Sequence, residues 1–384
     1  MRGALLPNFV ALALAGALLS PLPAVAQIAV ESADLAPRET PFQGWGVYRQ
    51  VTVDSGATKL RLTQLSTPVS LKVRLGARAS LVLYGAYAKT EVGPDSGGAA
   101  KQSLSGMTDA RAKLFVHSGG TVLSIGVGLP TGRHALTPIE DFVASVAATD
   151  LYGFRVRRMG EGLDAQAGLT HARELGPRGA VALGVAFLYR GSYKPSRGAD
   201  TKYRPGAEVS ASVGYDYSTP STLLRFNATG RAYTKDQVDG VPVFRQGGAA
   251  VFEERWVARS AARLSNDFSM HQVLKAVSDF YGDGAGNPLS TTAENGSSFG
   301  AAERLEFNLG GGARLAALAE GTMYGKNDAG FESAHLLSFG GELSYAPSAH
   351  ALARVMVRAL TGAADPGDLK LSGMDISGSL RVVF

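Results

Sequence analysis

Six histidines, His117, His134, His171, His271, His335 and His350, are the first residues to test for chemistry. None stands beside another at a spacing that lets two imidazoles meet one metal ion. Acyl transfer would need a serine next to a histidine or a carboxylate, and no local motif offers that pairing. Cysteine is absent, so there is no disulfide, no thiolate ligand and no thiol to acylate. The stretch 279–287, DFYGDGAGN, has acids and glycines but lacks the ligand order of a dedicated calcium loop. These residues predict a protein that is not an enzyme and carries no metal and no cofactor. His171 falls on an outward strand position near a turn, where an interfacial role suits it.

Two other groups could touch a solute. Arg255, Arg259 and Arg263 recur every fourth residue with Glu253 in the same phase, so a strand would line them along one face. Such a ladder can guide anionic solutes, or it can join cross-strand ion pairs that hold a wall together. In the second group, Thr137, Pro138 and Glu140 form a helix start: a capping threonine, proline at the first position and a capping-box acid. Ile139, Phe142, Val143 and Val146 then share one helix face. That face can hold an apolar substrate, or simply pack its loop down over whatever lies beneath.

The elements that must position these groups are strands. Arg2, the apolar run 9–19 and Ala24-Val25-Ala26 have the three parts of a cleaved secretory signal, which assigns 1–26 to a signal peptide. Beyond it no apolar stretch is long enough to cross a bilayer as a helix, although 45% of the residues are hydrophobic. Period-two alternation dominates from about residue 45. Met374, Ile376, Leu380, Val382 and Phe384 share one face of the last segment, opposite Asp375, Ser377, Ser379 and Arg381. Val181 to Tyr189 and Val209 to Tyr217 repeat the pattern.

Connections alternate in length. Short turns are expected at 76–80, 117–120, 175–179, 218–221, 265–267, 310–312 and 347–350. Longer polar loops are expected near 92–106, 131–157, 191–204, 235–248, 282–299, 325–332 and 361–369. This asymmetry predicts an all-β, transmembrane, antiparallel up-and-down β-barrel with long extracellular loops and short periplasmic turns. Counting gives about 16 strands, with 14 as the alternative. Residues 45–384 form the barrel, and 27–44 form a periplasmic lead-in or a small luminal plug. Pro68 and the move of the apolar face from Leu60 and Leu62 to Val69, Leu71 and Val73 predict a bulge in the second strand. Sorting strands by face puts Lys72, Arg111, Asp164, Glu208, Asp216, Arg225, Glu306, Glu342 and Arg358 inside, a polar lumen.

The segment 105–111, SGMTDAR, with 123–132, LSIGVGLPTG, and 160–164, GEGLD, resembles a hairpin of one group of barrels. These are the outer-membrane proteins of phenol meta-degradation pathways and the related long-chain fatty-acid and aromatic-hydrocarbon transporters. The resemblance, with the terminal strand, covers about a third of the chain, and no Asn-Pro-Ala stretch follows Gln27. It implies a bacterial outer-membrane channel for small hydrophobic or aromatic molecules, possessing an N-terminal hatch. The partners so implied are outer-membrane lipid and lipopolysaccharide, the barrel-assembly machinery, for which Phe384 would be the signal, and a small-molecule solute. The formal charge of +5, without aromatic-basic modules, gives no reason to invoke nucleic acid. A general porin, or an adhesive barrel with a closed lumen, fits the same pattern. Oligomeric state has no signature in the sequence.

Overall fold

The computed structural model describes residues 41–95, 100–198, 200–260, 263–282, 288–293, 296–326, 332–365 and 369–383. The signal segment, residues 27–40 and Phe384 lie outside the described residues. One continuous sheet closes on itself. Its strands are β1 (Pro41–Asp54), β2 (Lys59–Arg74), β3 (Ala79–Pro94), β4 (Gln102–Met107), β5 (Ala110–Ser118), β6 (Thr121–Leu129), β7 (Asp164–Leu175), β8 (Gly179–Arg190), β10 (Glu208–Ser218) and β11 (Thr222–Tyr233). It continues through β14 (Ala249–Ser260), β15 (Leu264–Lys275), β18 (Ser298–Gly310), β19 (Ala313–Tyr324), β20 (Ser333–Ser348), β21 (Ala351–Asp365) and β22 (Leu369–Val383). Each pairs antiparallel with its neighbours in this order, except that β4 and β5 do not pair with each other, and β22 returns to β1 from Pro41↔Val383 to Asp54↔Lys370. β4 and β5 are one crossing interrupted at Thr108 and Asp109, and both pair with β3. The barrel therefore has the sixteen crossings expected from the alternation, not fourteen.

A second sheet stands on the long-loop end. It consists of β9 (Tyr203–Arg204), β12 (Asp236–Val238), β13 (Val241–Arg245), β16 (Ser278–Tyr281) and β17 (Pro288–Ala293), in the order β17-β16-β13-β12-β9. A helix, α1 (Pro138–Ala148), and a 3-10 turn, Asp150–Tyr152, lie in the loop between β6 and β7.

Alternation sorts the faces as a membrane barrel requires. Leu183, Val185, Trp256 and Phe339 are 62%, 58%, 54% and 53% exposed, which places apolar side chains outside. The residues between them point in. On β2 the inward phase holds Leu62, Gln64, Ser66 and Lys72, all buried, while Val69 and Leu71 point out.

Three expectations change. β1 begins at Pro41, so residues 41–44 belong to the wall and not to the lead-in. No bulge breaks β2: its register with β3 runs without a shift from Leu60↔Pro94 to Arg74↔Ser80. The apolar phase of β2 changes because Leu62 faces an apolar filling inside the barrel, and not because the strand slips. The turn expected at 265–267 is strand, since Ser265, Asn266 and Asp267 pair with Arg259, Ala258 and Val257.

Candidate functional site

The barrel's main apolar cluster lies inside it. Val51 and Val53 of β1, Leu62 of β2, Ala86, Ala88 and Val92 of β3, Leu104 of β4, Leu336 of β20, Leu360 of β21 and Leu371 of β22 are buried on their inward sides. What they bury is loop 130–163: Val143, Ala147, Leu151, Phe154, Val156 and Met159 belong to the same cluster. A polar lumen would not bury these wall residues; the inserted loop does. Val143 is 0% and Phe154 2% exposed. Side chains of this kind contribute about 1.5–3 kcal/mol each when taken from water.

Local chemistry sets the loop's course. Thr137 caps α1, accepting from Glu140 N at 3.4 Å, while Thr137 N donates to Glu140 Oε2 at 2.9 Å. Arg133 is ion-paired to Glu140 and also donates to Ser105 O at 3.2 Å, which ties the helix start to β4. Glu140 lies below the usual carboxylate range, chiefly through the Thr137 N–H, with Arg133 adding to it.

Both ends of the loop meet at Asp109, in the break between β4 and β5. Its Oδ1 accepts from Gly132 N at 2.8 Å and its Oδ2 from Glu161 N at 2.6 Å. Thr108 and Thr131 support the break by accepting from Ala86 N and Ala110 N at 3.0 and 2.8 Å. A side chain on Gly132 would collide with Met159 O and Asp109 N, and Gly160 sits against Gly132. Thr108-Asp109, Thr131-Gly132 and Gly160-Glu161 therefore meet in one knot that shuts the base of the loop.

The far end is fixed as well. Gln64 Nε2 donates to Val156 O at 2.7 Å, and Val156 N donates back to Gln64 Oε1 at 2.9 Å. Asp150 is ion-paired to Arg157 and, at 3.2 Å, to Lys275 of β15, while Tyr324 of β19 donates to Asp150 O at 3.3 Å. The loop leaves the wall at β6, touches β1 to β4, β15 and β19 to β22, and returns at β7. It thus reaches across the lumen. On the return, Glu161 is paired with Arg111 at 3.5 Å and Arg158 at 3.4 Å. Burial pushes the Glu161 carboxyl up, but Arg158, Arg111 and Arg190 outweigh it and hold the group below its usual range.

One wall stays lightly covered. The inward phase of β7, β8 and β10 carries Gly168, Thr170, Ala182, Gly184, Ala186, Ser210, Ser212 and Gly214, all partly or fully exposed. Small side chains here leave room between this wall and the inserted loop.

The helix face expected from sequence is divided. Val143 is buried, Phe142 and Val146 are half-buried against the cluster, and Ile139 is 56% exposed. Packing, the second of the two readings for this face, accounts for Val143 and much of Phe142 and Val146. The arginine ladder is not continuous. Arg255 is held by Asp267 at 3.0 and 2.8 Å; Arg259 is exposed near the short-turn end; Arg263 lies past the end of β14, in the turn before β15. Ion pairing dominates the rest of the inner wall. Asp375 Oδ2 meets Arg49 at 3.2 Å and Arg358 at 2.7 Å, Arg358 also meets Glu320, and Arg304 joins Glu306 at 2.6 Å to Glu342 at 2.8 Å.

Sequence reasoning passed over Gln64, Asp150 and Arg49, and found Asp109 within a motif but without its anchoring role. Gln64 had a legible signal, a large amide in the inward phase of an otherwise regular strand. Among the described residues no group of three or more His, Asp or Glu side chains could hold a metal ion.

No family model and no curated protein matches the chain. Among solved structures, an outer-membrane channel from Pseudomonas putida F1 is 11% identical, with a TM-score of 0.38 over 91% of this chain and 97% of that one. Pseudomonas aeruginosa OccK7 is 8% identical, with a TM-score of 0.44 over 90% and 99%. A mutant of TodX, a monoaromatic hydrocarbon channel, is 10% identical, with a TM-score of 0.45 over 90% and 89%. Similarity at this level carries no functional argument, and function has to be argued from this chain's own geometry.

Proposed function

We propose that the chain is an outer-membrane channel for passive uptake of small molecules, hydrophobic or aromatic ones above all, and that loop 130–163 governs what passes. The observation that carries this reading is a loop with an apolar core folded inside a closed barrel, facing an inner wall of small, accessible side chains. A scaffold barrel has no use for a constriction with its own capped helix and a built anchor. The apolar preference is supported by the exposed Ile139 and half-buried Phe142 of α1, and by the family resemblance. The apolar outer face supports a bilayer setting for the barrel. On this reading lipid and lipopolysaccharide surround it, the assembly machinery inserts it, and cleavage near residue 26 precedes insertion.

The rival reading is a closed barrel with a structural or adhesive role, which the ion pairs crossing the inner wall favour. Liposome swelling separates the two. Purified protein should admit small aromatic solutes faster than sugars of similar mass. Vesicles that admit neither would rule out the channel, and sugars entering as fast as aromatics would point to a general porin.

A further inference from the structure

Among the described residues, the apolar outer face carries unpaired carboxylates at mid-strand in one place; Lys89 and Glu91 of β3, also outward, pair with each other. Glu254 of β14 shares the outward phase of Phe252 and of Trp256, which is 54% exposed. Glu303 of β18 shares that of Phe299, Leu305 and Phe307, exposed by 43%, 36% and 44%. Each glutamate stands near the middle of its strand with apolar neighbours above and below. In register, Glu254 lies beside Phe226 and Met270, and Glu303 beside Phe268 and Ala319. Neither carboxylate has a hydrogen bond or ion pair among the described residues. The strand between them, β15, adds Gln272 and Asn266 in the same outward phase as Met270 and Leu274. On the opposite side, six strands from β15, the outward phase of β6 is apolar from Leu123 through Ile125 and Val127 to Leu129.

Ionisable groups at mid-depth on a lipid face are costly, because hydrocarbon offers no donor to a carboxylate. Their presence marks a place where something other than lipid is the neighbour. We propose that the outer face of β14, β15 and β18 packs against the same face of a second copy of this chain within the membrane, an inference that rests on the membrane reading above.

The patch is self-complementary. A two-fold axis along the membrane normal keeps both copies upright, sets β15 against β15, and brings β14 of each copy opposite β18 of the other. Each copy then brings two carboxylate acceptors and two amide donors at similar depth, so the donors of one can serve the acceptors of the other. Met270, between the two glutamates, falls close to the axis.

Since the chain has no cysteine, single cysteines report the contact directly. Met270→Cys in isolated outer membranes, treated with copper phenanthroline, should give a disulfide-linked band of twice the monomer mass. Ile125→Cys on the opposite wall should give none. Adding Glu254→Leu and Glu303→Leu to Met270→Cys should reduce the band at least several-fold. A folded, heat-modifiable Met270→Cys protein that stays monomeric in the membrane, or that links instead to a different protein, would overturn the proposal alone. So would an equal band from Ile125→Cys or an undiminished one from the triple variant. Protein that does not fractionate with the outer membrane would overturn the membrane reading and the interface together.

Discussion

Replacing Asp109 by alanine should unseat loop 130–163 while leaving the wall intact. The carboxylate is 4% exposed and accepts from two backbone N–H groups that close the base of the loop. Hydrogen bonds to a charged acceptor contribute about 1.5–3 kcal/mol each, so the pair is worth roughly 3–6 kcal/mol. At about 1.4 kcal/mol per tenfold, that lowers the ratio of seated to unseated loop by roughly two to four powers of ten. The wall strands on either side keep their ladders. Trypsin reports the change: in the seated loop Arg157 and Arg158 are partly buried, and the exposed Arg155 is held between the buried Phe154 and Val156. Asp109→Ala in detergent should be cut in the loop much faster than the parent protein, with an unchanged heat-modifiable band before digestion. Asp109→Asn, which retains one acceptor oxygen, should fall between them. Equal cutting rates for all three proteins would refute the anchoring role.

Other expected outcomes follow from neighbouring contacts. Gly132→Ala should reproduce the Asp109→Ala phenotype, because the added methyl collides with Met159 O and Asp109 N; unchanged trypsin resistance would contradict this. Asp375→Asn weakens the acceptor of two arginines in the inner wall, Arg49 and Arg358. Breaking a buried pair costs about 3–5 kcal/mol when a partner is removed, so the temperature of the heat-modifiable transition should fall, and Asp375→Ala should lower it further. The Glu140 carboxyl is held below its ordinary range. Its contribution to the loop is therefore complete above that ordinary value and lost as pH falls through the lower, folded-state value. Loop protection from an acid-active protease should hold down to about pH 5 and weaken below about pH 4, and Glu140→Gln should remove that dependence.

Much of the wall was legible in the alternation. Leu183, Val185 and Phe187 announce an outward face, and the same pattern traces sixteen crossings. The contents of the lumen were less so. The change of phase on β2 looked like a bulge because alternation reports which face is apolar, and not which side that face is on. Leu62 is apolar and inward because the loop covers it. Ser265, Asn266 and Asp267 have turn composition, yet Asp267 stays in the strand to hold Arg255. The capped helix was readable from Thr137, Pro138 and Glu140, whose contacts are local. Its burial was not, since α1 meets β3 and β4 only after the barrel has closed. Asp109 could be seen within a motif, but its two backbone partners lie 23 and 52 residues away.

Single-channel conductance in planar bilayers tests the central claim most directly, comparing the parent protein with a variant in which 134–158 is replaced by a short Gly-Ser link. The expected result is small steps from the parent and steps several-fold larger from the shortened protein, because the loop occupies the lumen. Equal conductance would contradict a governing role for loop 130–163, and silence from both proteins would contradict the channel.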